Sequence, residues 1–230
     1  MAGKLHPPGG AWQPLIEACV VGLAAGGLDL GALWASAAAR KASLGRLARL
    51  LDLVVTWNAR VDLTAARDAR ELVDLYLADA LVLAAADPGL EAEPGGQRWI
   101  DVGSGAGAPG LVLQLLRPEL DLTLVEPRAK RVAFLRSALG TLLSSRTALV
   151  LDRRSDALPE QTHDVAVSRA TFGPSEWLAE GARLSRGRVW VLLARAEPPT
   201  LPGWHVVREV DYSWPLTGVR RHALAFGRAP

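Results

Sequence analysis

The chain has 230 residues, 50% of them hydrophobic and 22% charged, which predicts a folded protein and excludes a disordered one. A single cysteine, Cys19, excludes an intramolecular disulfide and favours a reducing compartment. The formal net charge of +2 argues neither for nor against a nucleic-acid partner, but the positive excess lies after residue 100 and is nearly all arginine.

Only the stretch from Leu15 to Ala39 resembles a targeting segment. Pro14 opens it, and Glu17 and Asp29 interrupt it, so it matches neither a signal peptide nor a membrane-spanning helix well. We therefore expect a cytoplasmic protein with no membrane partner.

Two helices are predicted in the first hundred residues. Leucine and valine recur at three- and four-residue spacing between Ala32 and Asn58, which is typical of an amphipathic helix, and a second apolar pattern covers Glu71 to Leu83. Pro94-Gly95-Gly96 then marks a boundary. We expect a helical N-terminal extension over residues 1–96 and a main domain over residues 97–230.

Beyond this boundary the pattern changes to short apolar runs that alternate with helical segments. Such runs, rich in β-branched residues, indicate a parallel sheet covered on both faces. Strands are predicted over residues 99–102, 122–125, 148–151, 165–167 and 189–193, helices over residues 111–116, 129–143 and 176–184, and a terminal hairpin over residues 204–210 and 222–226. The expected fold class is α/β, with a mostly parallel seven-stranded sheet and a helical N-terminal cap.

A glycine-rich turn follows the first predicted strand and precedes a predicted helix. It reads Ile100-Asp101-Val102-Gly103-Ser104-Gly105-Ala106-Gly107-Ala108-Pro109-Gly110. Glycine permits positive φ and lets a ligand approach bare backbone, while the helix start offers free N–H groups. Glu126 ends the next strand, where a carboxylate accepts both hydroxyls of a ribose in nucleotide-binding folds. The arrangement predicts a ligand that contains a nucleoside; the alternative is a tight turn beside a solvated strand end.

The loop alone does not separate NAD from S-adenosylmethionine. An acid that opens the glycine loop, here Asp101, is typical of methyltransferases, in which it lies near the sulfonium side of the ligand. Dinucleotide-binding folds usually begin with an apolar residue and glycine. By this comparison of family patterns, we expect S-adenosylmethionine as the cofactor.

Four motifs, in order, resemble the RsmG (GidB) family over roughly residues 44–227. They are Trp57-Asn58 followed by Asp62-Leu63-Thr64 and Arg67-Asp68, the glycine loop with its Pro109-Gly110 ending, the segment Lys130 to Arg136, and the segment Val167 to Ala170. That family transfers a methyl group from S-adenosylmethionine to guanine N7 of small-subunit (16S) ribosomal RNA. The resemblance implies this activity, a Rossmann-like class I methyltransferase fold, and small-subunit rRNA or an assembling subunit as the partner of a monomeric chain.

The resemblance also assigns site residues. It implies that Gly103, Gly105 and Ala108 contact the cofactor, and that Arg169, after the fourth strand, contributes to the same site as the catalytic candidate. Contacts to adenine are implied for three consecutive residues, Arg154, Ser155 and Asp156. With Asp101 and Glu126, these are the predicted cofactor-binding residues.

Cations at two places are candidate RNA contacts. Arg128, Lys130 and Arg131 lie at the start of a predicted helix, where the macrodipole disfavours cations, so an external anion such as phosphate is favoured. A solvated helix end is the alternative. Arg221 falls on a family arginine near the terminal hairpin. No Cys/His cluster has ligand spacing, so we expect no metal.

The chemistry after the fourth strand fits a nucleophile that needs no general base. Ser168-Arg169-Ala170 stands where exocyclic-amine methyltransferases have an Asp/Asn-Pro-Pro-Tyr box, and guanine N7 offers an unprotonated lone pair. The departures from the family pattern are Asp62, Tyr76, Ala108, Ala194 and Arg195. Those at Ala194 and Arg195 keep open a methyltransferase of the same fold that acts on a small molecule or a protein. A binding protein without catalysis and an oxidoreductase are the further alternatives.

Overall fold

A computed structural model of the chain describes residues 5–7, 11–90, 96–143 and 148–228. The helices are α1 (Gln13–Ala25), α2 (Ala37–Asn58), α3 (Ala69–Ala86), α4 (Gly110–Leu116), α5 (Ala129–Leu142) and α6 (Pro174–Leu184). The strands are β1 (Arg98–Val102), β2 (Asp121–Val125), β3 (Ala148–Leu151), β4 (His163–Ser168), β5 (Ser185–Leu193), β6 (Trp204–Ser213) and β7 (Arg220–Arg228).

The seven strands form one sheet in the order β3-β2-β1-β4-β5-β7-β6. Neighbouring strands from β3 to β5 pair in parallel, whereas β7 is antiparallel to both β5 and β6. The predicted α/β class, the mostly parallel seven-stranded sheet and the terminal hairpin are confirmed. Val102 pairs with Val125 on one side and with Ser168 on the other, so the carboxyl ends of β1, β2 and β4 meet at one edge. Ligands bind at this edge in open α/β sheets.

Helices cover both faces of the sheet because alternate strand residues are apolar on both sides. Trp99 of β1 faces the larger hydrophobic cluster, which contains α1 to α5, whereas Ile100 faces the smaller cluster around α6. The larger cluster runs without a break from the N-terminal helices into the sheet. The division at residues 96 and 97 stays a prediction.

The N-terminal helices begin at residues that the sequence signals. Ser36 Oγ accepts a hydrogen bond from Ala39 N at 3.1 Å, and Asp68 Oδ1 accepts one from Glu71 N at 2.9 Å, so both α2 and α3 start at side-chain caps. Nearly every side chain of α3 is buried, including those of Asp74 and Asp79. Within the described ranges, none of the helices combines the length and the hydropathy needed to cross a bilayer.

Three buried carboxylates, those of Asp74, Asp79 and Asp87, connect α3 and the residue that follows it to β5 and to the hairpin of β6 and β7. Asp74 accepts hydrogen bonds from the backbone and side chain of Thr217, both at 2.8 Å. Asp87 accepts from Trp190 Nε1 at 2.7 Å and from the guanidinium of Arg188 at 2.8 Å. The predicted strand over residues 189–193 lacks the first four residues of β5, because these are polar or glycine and the ion pair that admits Arg188 to the interior comes from the distant Asp87.

Asp79 holds three groups from distant parts of the chain. Its Oδ1 atom accepts hydrogen bonds from Tyr212 Oη at 2.7 Å and from Trp214 Nε1 at 2.9 Å, and its Oδ2 atom accepts one from Arg169 Nη1 at 3.3 Å. The Asp79 side chain is only 2% exposed. We refer to these four residues as the Asp79 cluster, and it links α3, the turn after β4 and the hairpin of β6 and β7.

Asp79→Ala is expected to lower the free energy of unfolding by about 3 kcal/mol, because the buried Trp214 N–H and the half-buried Tyr212 hydroxyl and Arg169 guanidinium lose their shared acceptor. Chemical denaturation of both proteins measures the difference. Asp211→Ala, which removes an exposed carboxylate from β6, is the control and should change stability by less than about 0.5 kcal/mol. Equal losses in the two variants would show that the Asp79 cluster does not hold the layers together.

Candidate functional site

The glycine loop is fixed to the neighbouring strand before any ligand arrives. The backbone N–H groups of Gly103 and Ser104 both donate to the carbonyl of Val125, at 2.8 and 3.0 Å. Ser104 Oγ also donates to the carbonyl of Asp101 at 2.8 Å. These bonds hold the loop against the end of β2, so the carboxylate that follows β2 reaches it directly.

That carboxylate, Glu126, bridges two backbone segments. Its Oε2 atom accepts a hydrogen bond from Gly105 N at 2.9 Å, and its Oε1 atom accepts one from Arg128 N at 2.8 Å. A carboxylate has about four acceptor positions, so each oxygen retains a lone pair for a hydroxyl of a ligand. Gly105 has φ +56°, and the nearest atom to a Cβ placed there is Arg131 Nη1 at 3.6 Å. A Cβ at Gly105 would therefore make ordinary van der Waals contact without a clash, and the positive φ is what favours glycine at this position.

Asp101 lies beneath the loop at the start of α4. Its Oδ2 atom accepts a hydrogen bond from Gly110 N at 3.0 Å, and its Oδ1 atom is buried without a protein partner. A Cβ on Gly110 would lie 2.4 Å from Asp101 Oδ2, so only glycine lets the helix start approach this carboxylate. Burial raises the pKa of Asp101 to about 7, although the Gly110 N–H and the charge of Arg169 oppose the shift.

A cavity of about 720 Å³ opens on the other side of Gly103. The segment of Arg154, Ser155 and Asp156 lines it, together with Val125 and the ring of Phe172. Ser155 is buried, whereas Arg154 and Asp156 are exposed and lie 3.3 Å apart as an ion pair. The size and the mixture of apolar and polar walls suit a small-molecule site.

Arg183 fixes the wall that carries Ser155. Its Nη2 atom donates to the Ser155 carbonyl at 2.8 Å and its Nη1 atom to the Leu158 carbonyl at 2.9 Å. Glu180 completes the arrangement with a 2.8 Å ion pair to Arg183, and hydrogen bonding to Arg183 lowers the pKa of Glu180. This role of Arg183 was not predicted from the sequence. Its position in α6, the helix before β5, is the only sequence signal that points to it.

Arg169 reaches back from the end of β4 toward α3. Its Nη1 atom donates to the Leu75 carbonyl and to Asp79, and the other guanidinium nitrogens make no hydrogen bond to the described residues. Arg169 is close enough to Asp101 to lower its pKa. The Arg169 guanidinium therefore lies near the glycine loop, while its Nη1 atom is held by Asp79. Ala108, by contrast, is buried in the turn before α4.

The Trp57-Asn58 motif shapes the segment that lies beside the glycine loop. This role was not predicted from the sequence. Asn58 Oδ1 accepts hydrogen bonds from the backbone N–H groups of Leu63 and Thr64, at 2.9 and 3.1 Å, and so shapes the segment after α2. The Asp62 carbonyl in that segment accepts from Arg131 Nη2 at 3.4 Å. The motif thus positions a basic side chain next to Gly105.

The cations predicted to contact RNA lie around this site in two groups. Arg128 and Lys130 are exposed at the start of α5, and Arg131 is half-buried next to the glycine loop. Arg221 stacks over Trp214 with its guanidinium carbon 4.0 Å from the ring centroid, which places it at the Asp79 cluster. We refer to Arg128, Lys130 and Arg131 as the mouth cations. They lie at the start of α5, beside Glu126 and the glycine loop.

One group of metal-ligating side chains occurs in the described ranges. Glu209, Asp211 and His222 have ligand atoms within 4.8 Å of one another on the hairpin of β6 and β7, and His222 Nε2 lies 2.8 Å from Glu209 Oε1. The carboxylates are exposed, and a hydrogen bond between His222 and Glu209 accounts for the approach of these two side chains. The group is separate from the glycine loop.

The chain matches the model of the GidB family, described as rRNA small subunit methyltransferase G, over residues 43–198. Ribosomal RNA small subunit methyltransferase G of Halorhodospira halophila is 38% identical over 141 residues, which are 61% of this chain and 63% of that relative. The chain thus spans less than two thirds of that relative. The protein of the same name from Myxococcus xanthus is 32% identical over 201 residues, 81% of this chain and 89% of the relative.

Among solved structures, magnesium protoporphyrin IX methyltransferase from Synechocystis with bound SAM is similar, with a TM-score of 0.47 and 16% identity. The similarity covers 58% of this chain and 71% of that one.

The buried Asp101 predicts a stability that depends on pH. Because its pKa in the folded protein is raised from 3.8 to about 7, the folded chain binds more protons than the unfolded chain between these values, and stability falls as pH rises through them. Asp101→Asn cannot ionise but keeps an oxygen for the Gly110 N–H. The variant should therefore gain stability relative to the parent as pH rises from 5 to 8, measured by urea unfolding. Parallel pH curves would contradict the burial of a titrating carboxyl.

Proposed function

We propose, since the chain belongs to the GidB family of rRNA small subunit methyltransferases G, that it transfers a methyl group from S-adenosylmethionine to N7 of a guanine in small-subunit (16S) rRNA. The observation that carries the proposal is the arrangement of Asp101, Gly105 and Glu126 at the carboxyl edge of the sheet, within the segment that matches the family. We further propose that the protein acts as a monomer in the cytoplasm, which light scattering and cell fractionation test.

The residues at the site fit S-adenosylmethionine. Glu126 has acceptor positions left for the two ribose hydroxyls, and Gly105 has no side chain to occupy the ligand's approach to the backbone. Gly103, Ser155 and the neighbouring polar side chains of Arg154 and Asp156 surround a cavity large enough for adenine. In this arrangement Ala108 acts through the turn that starts α4 rather than by a polar contact.

Asp101 and Arg169 supply opposite charges on the side of the loop away from that cavity. The unpartnered Oδ1 atom of Asp101 is an acceptor for a cationic group, and a nearby cation would favour its ionised form. The bound cofactor supplies an electrophilic methyl group on a positively charged sulfur. Cofactor affinity should therefore rise with pH up to about 7 as Asp101 gives up its proton.

Methyl transfer to N7 asks little acid–base chemistry of the protein. The nucleophile is a lone pair that carries no proton, so the chain has to hold guanine in line with the methyl group and keep both in place. We propose Arg169 as the catalytic residue, because the guanidinium nitrogens that Asp79 and Leu75 do not occupy are available to the guanine or the cofactor. N7 lies in a deep groove in an A-form helix, so we expect an unpaired target guanine.

The proposal is tested with 16S rRNA from a strain that lacks the gene. The purified protein and labelled S-adenosylmethionine should introduce one N7-methylguanosine, which mass spectrometry of nuclease digests detects in the parent strain and not in the deletion strain. Label in protein or in a small molecule, with unchanged rRNA, would support a same-fold methyltransferase with another substrate. Cofactor binding with no transfer to any fraction would support a binding protein.

The mouth cations and Arg221 are the proposed RNA contacts at the site. Arg128 and Lys130 are exposed and their side chains make no hydrogen bond or ion pair with the described residues, so Arg128→Ala/Lys130→Ala keeps Arg131 and its hydrogen bond to Asp62. Each phosphate contact contributes about 0.7–0.9 to the slope of log affinity against log salt concentration. If both residues contact phosphates, the slope for 16S rRNA binding should therefore fall by about 1.4–1.8 in the double variant.

The control for this comparison is Arg98→Ala/Arg228→Ala. It removes the same charge from the ends of β1 and β7, on the side of the sheet that α6 covers. S-adenosylmethionine affinity should stay unchanged in both double variants. Equal salt slopes in the two would mean that Arg128 and Lys130 form a solvated helix end.

A further inference from the structure

A basic groove lies between α2 and α5, apart from the cofactor site. It has a volume of about 770 Å³, and Lys41, Arg46 and Arg49 of α2 line one side of it. The end of α5, from Gly140 to Leu143, lines the other side. No acidic residue is among the described residues that line it. The groove therefore presents three positive charges with no nearby carboxylate in its wall.

Two glycines keep the groove bare. Gly45 lies inside α2 and Gly140 inside α5, and a Cβ placed on either would meet no atom within 4 Å. Glycine in a helix interior lowers stability relative to alanine, so neither packing nor backbone geometry requires these two. Their effect is to expose helix backbone between the cations.

The basic groove and the mouth cations lie near opposite ends of α5. Trp57 near the end of α2 contacts Phe134 of α5 edge-on, with ring centroids 5.7 Å apart, so the two helices run side by side. Arg128 caps the start of α5 and Gly140 lies in its last turn, so the two are separated by about 18 Å at 1.5 Å per residue. An RNA chain that contacts the mouth cations has to extend over about this distance to reach the groove.

We propose that this groove binds the phosphate backbone of the ribosomal RNA beyond the target guanine, a proposal that rests on the proposed function. The groove matches a phosphate backbone in two respects. Its cations carry a charge opposite to that of the backbone, and the bare glycines allow a chain to approach the helix surface closely. Direct contact of phosphates with lysine and arginine makes binding depend strongly on salt.

Lys41→Ala/Arg49→Ala tests the charges. Both residues are exposed, and Arg46 is kept because its Nη2 atom donates to the Leu115 carbonyl at 3.4 Å. In titrations of full-length 16S rRNA at several salt concentrations, this pair should reduce the salt slope by about 1.4–1.8, and Arg98→Ala/Arg228→Ala should not. Affinity for S-adenosylmethionine should be unchanged in both.

Gly45→Gln/Gly140→Gln tests, without a change of charge, whether RNA binding requires the exposed helix backbone at these two glycines. The variant should unfold at the same temperature or higher, because glutamine favours helix over glycine, yet it should bind 16S rRNA several-fold more weakly. If the glycines had only a structural role, their replacement would lower stability. It would not weaken RNA binding while leaving stability unchanged or higher. Unchanged rRNA affinity would overturn the proposal.

Three outcomes separate the groove from the function proposed above. If the parent methylates 16S rRNA and the Lys41/Arg49 pair behaves like the control, the groove proposal alone is wrong. If that pair weakens binding to small subunits but not to naked 16S rRNA, the groove contacts a ribosomal protein and the RNA proposal is overturned. If the parent neither binds nor methylates 16S rRNA or small subunits, the proposed function fails, and the groove proposal fails with it.

Discussion

The arrangement of the site depends on one buried interaction, that of Asp79 with Arg169, Tyr212 and Trp214. A carboxylate taken out of water is stable only when charged or hydrogen-bonding partners surround it, so its partners cannot move independently. Asp79 thereby fixes the turn after β4 relative to α3 and to the terminal hairpin. The charge of Arg169 acts on Asp101 from this position, so α3 helps to hold the residues of the site.

The motifs of the family have physical explanations in this chain. Asn58 shapes the segment that accepts a hydrogen bond from Arg131, and Trp57 fastens α2 to α5. Gly110 admits the carboxylate of Asp101 to the start of α4. These contacts join the N-terminal motif to the glycine loop, which explains why residues far apart in sequence serve one site.

The sequence predicted the features that are encoded locally and missed those that depend on distant partners. The strand pattern, the glycine loop and the acid at the end of β2 are read from neighbouring residues, and the family resemblance is confirmed by the match over residues 43–198. The Asp79 cluster joins residues up to 135 positions apart, and neither charge pattern nor periodicity reveals such a pairing. Likewise, Gly45 and Gly140 look like ordinary helix glycines until the structure places them across a groove.

The central claim is that the loop, Asp101 and Glu126 form a preformed site for S-adenosylmethionine. Calorimetric titration of the purified chain with S-adenosylmethionine and with NAD, at pH 7.5 and in the absence of RNA, tests it most directly. We predict binding of S-adenosylmethionine at one site and no heat of binding with NAD, since an acid that opens the glycine loop, here Asp101, is typical of methyltransferases and not of dinucleotide-binding folds. Binding of NAD without binding of S-adenosylmethionine would contradict the account.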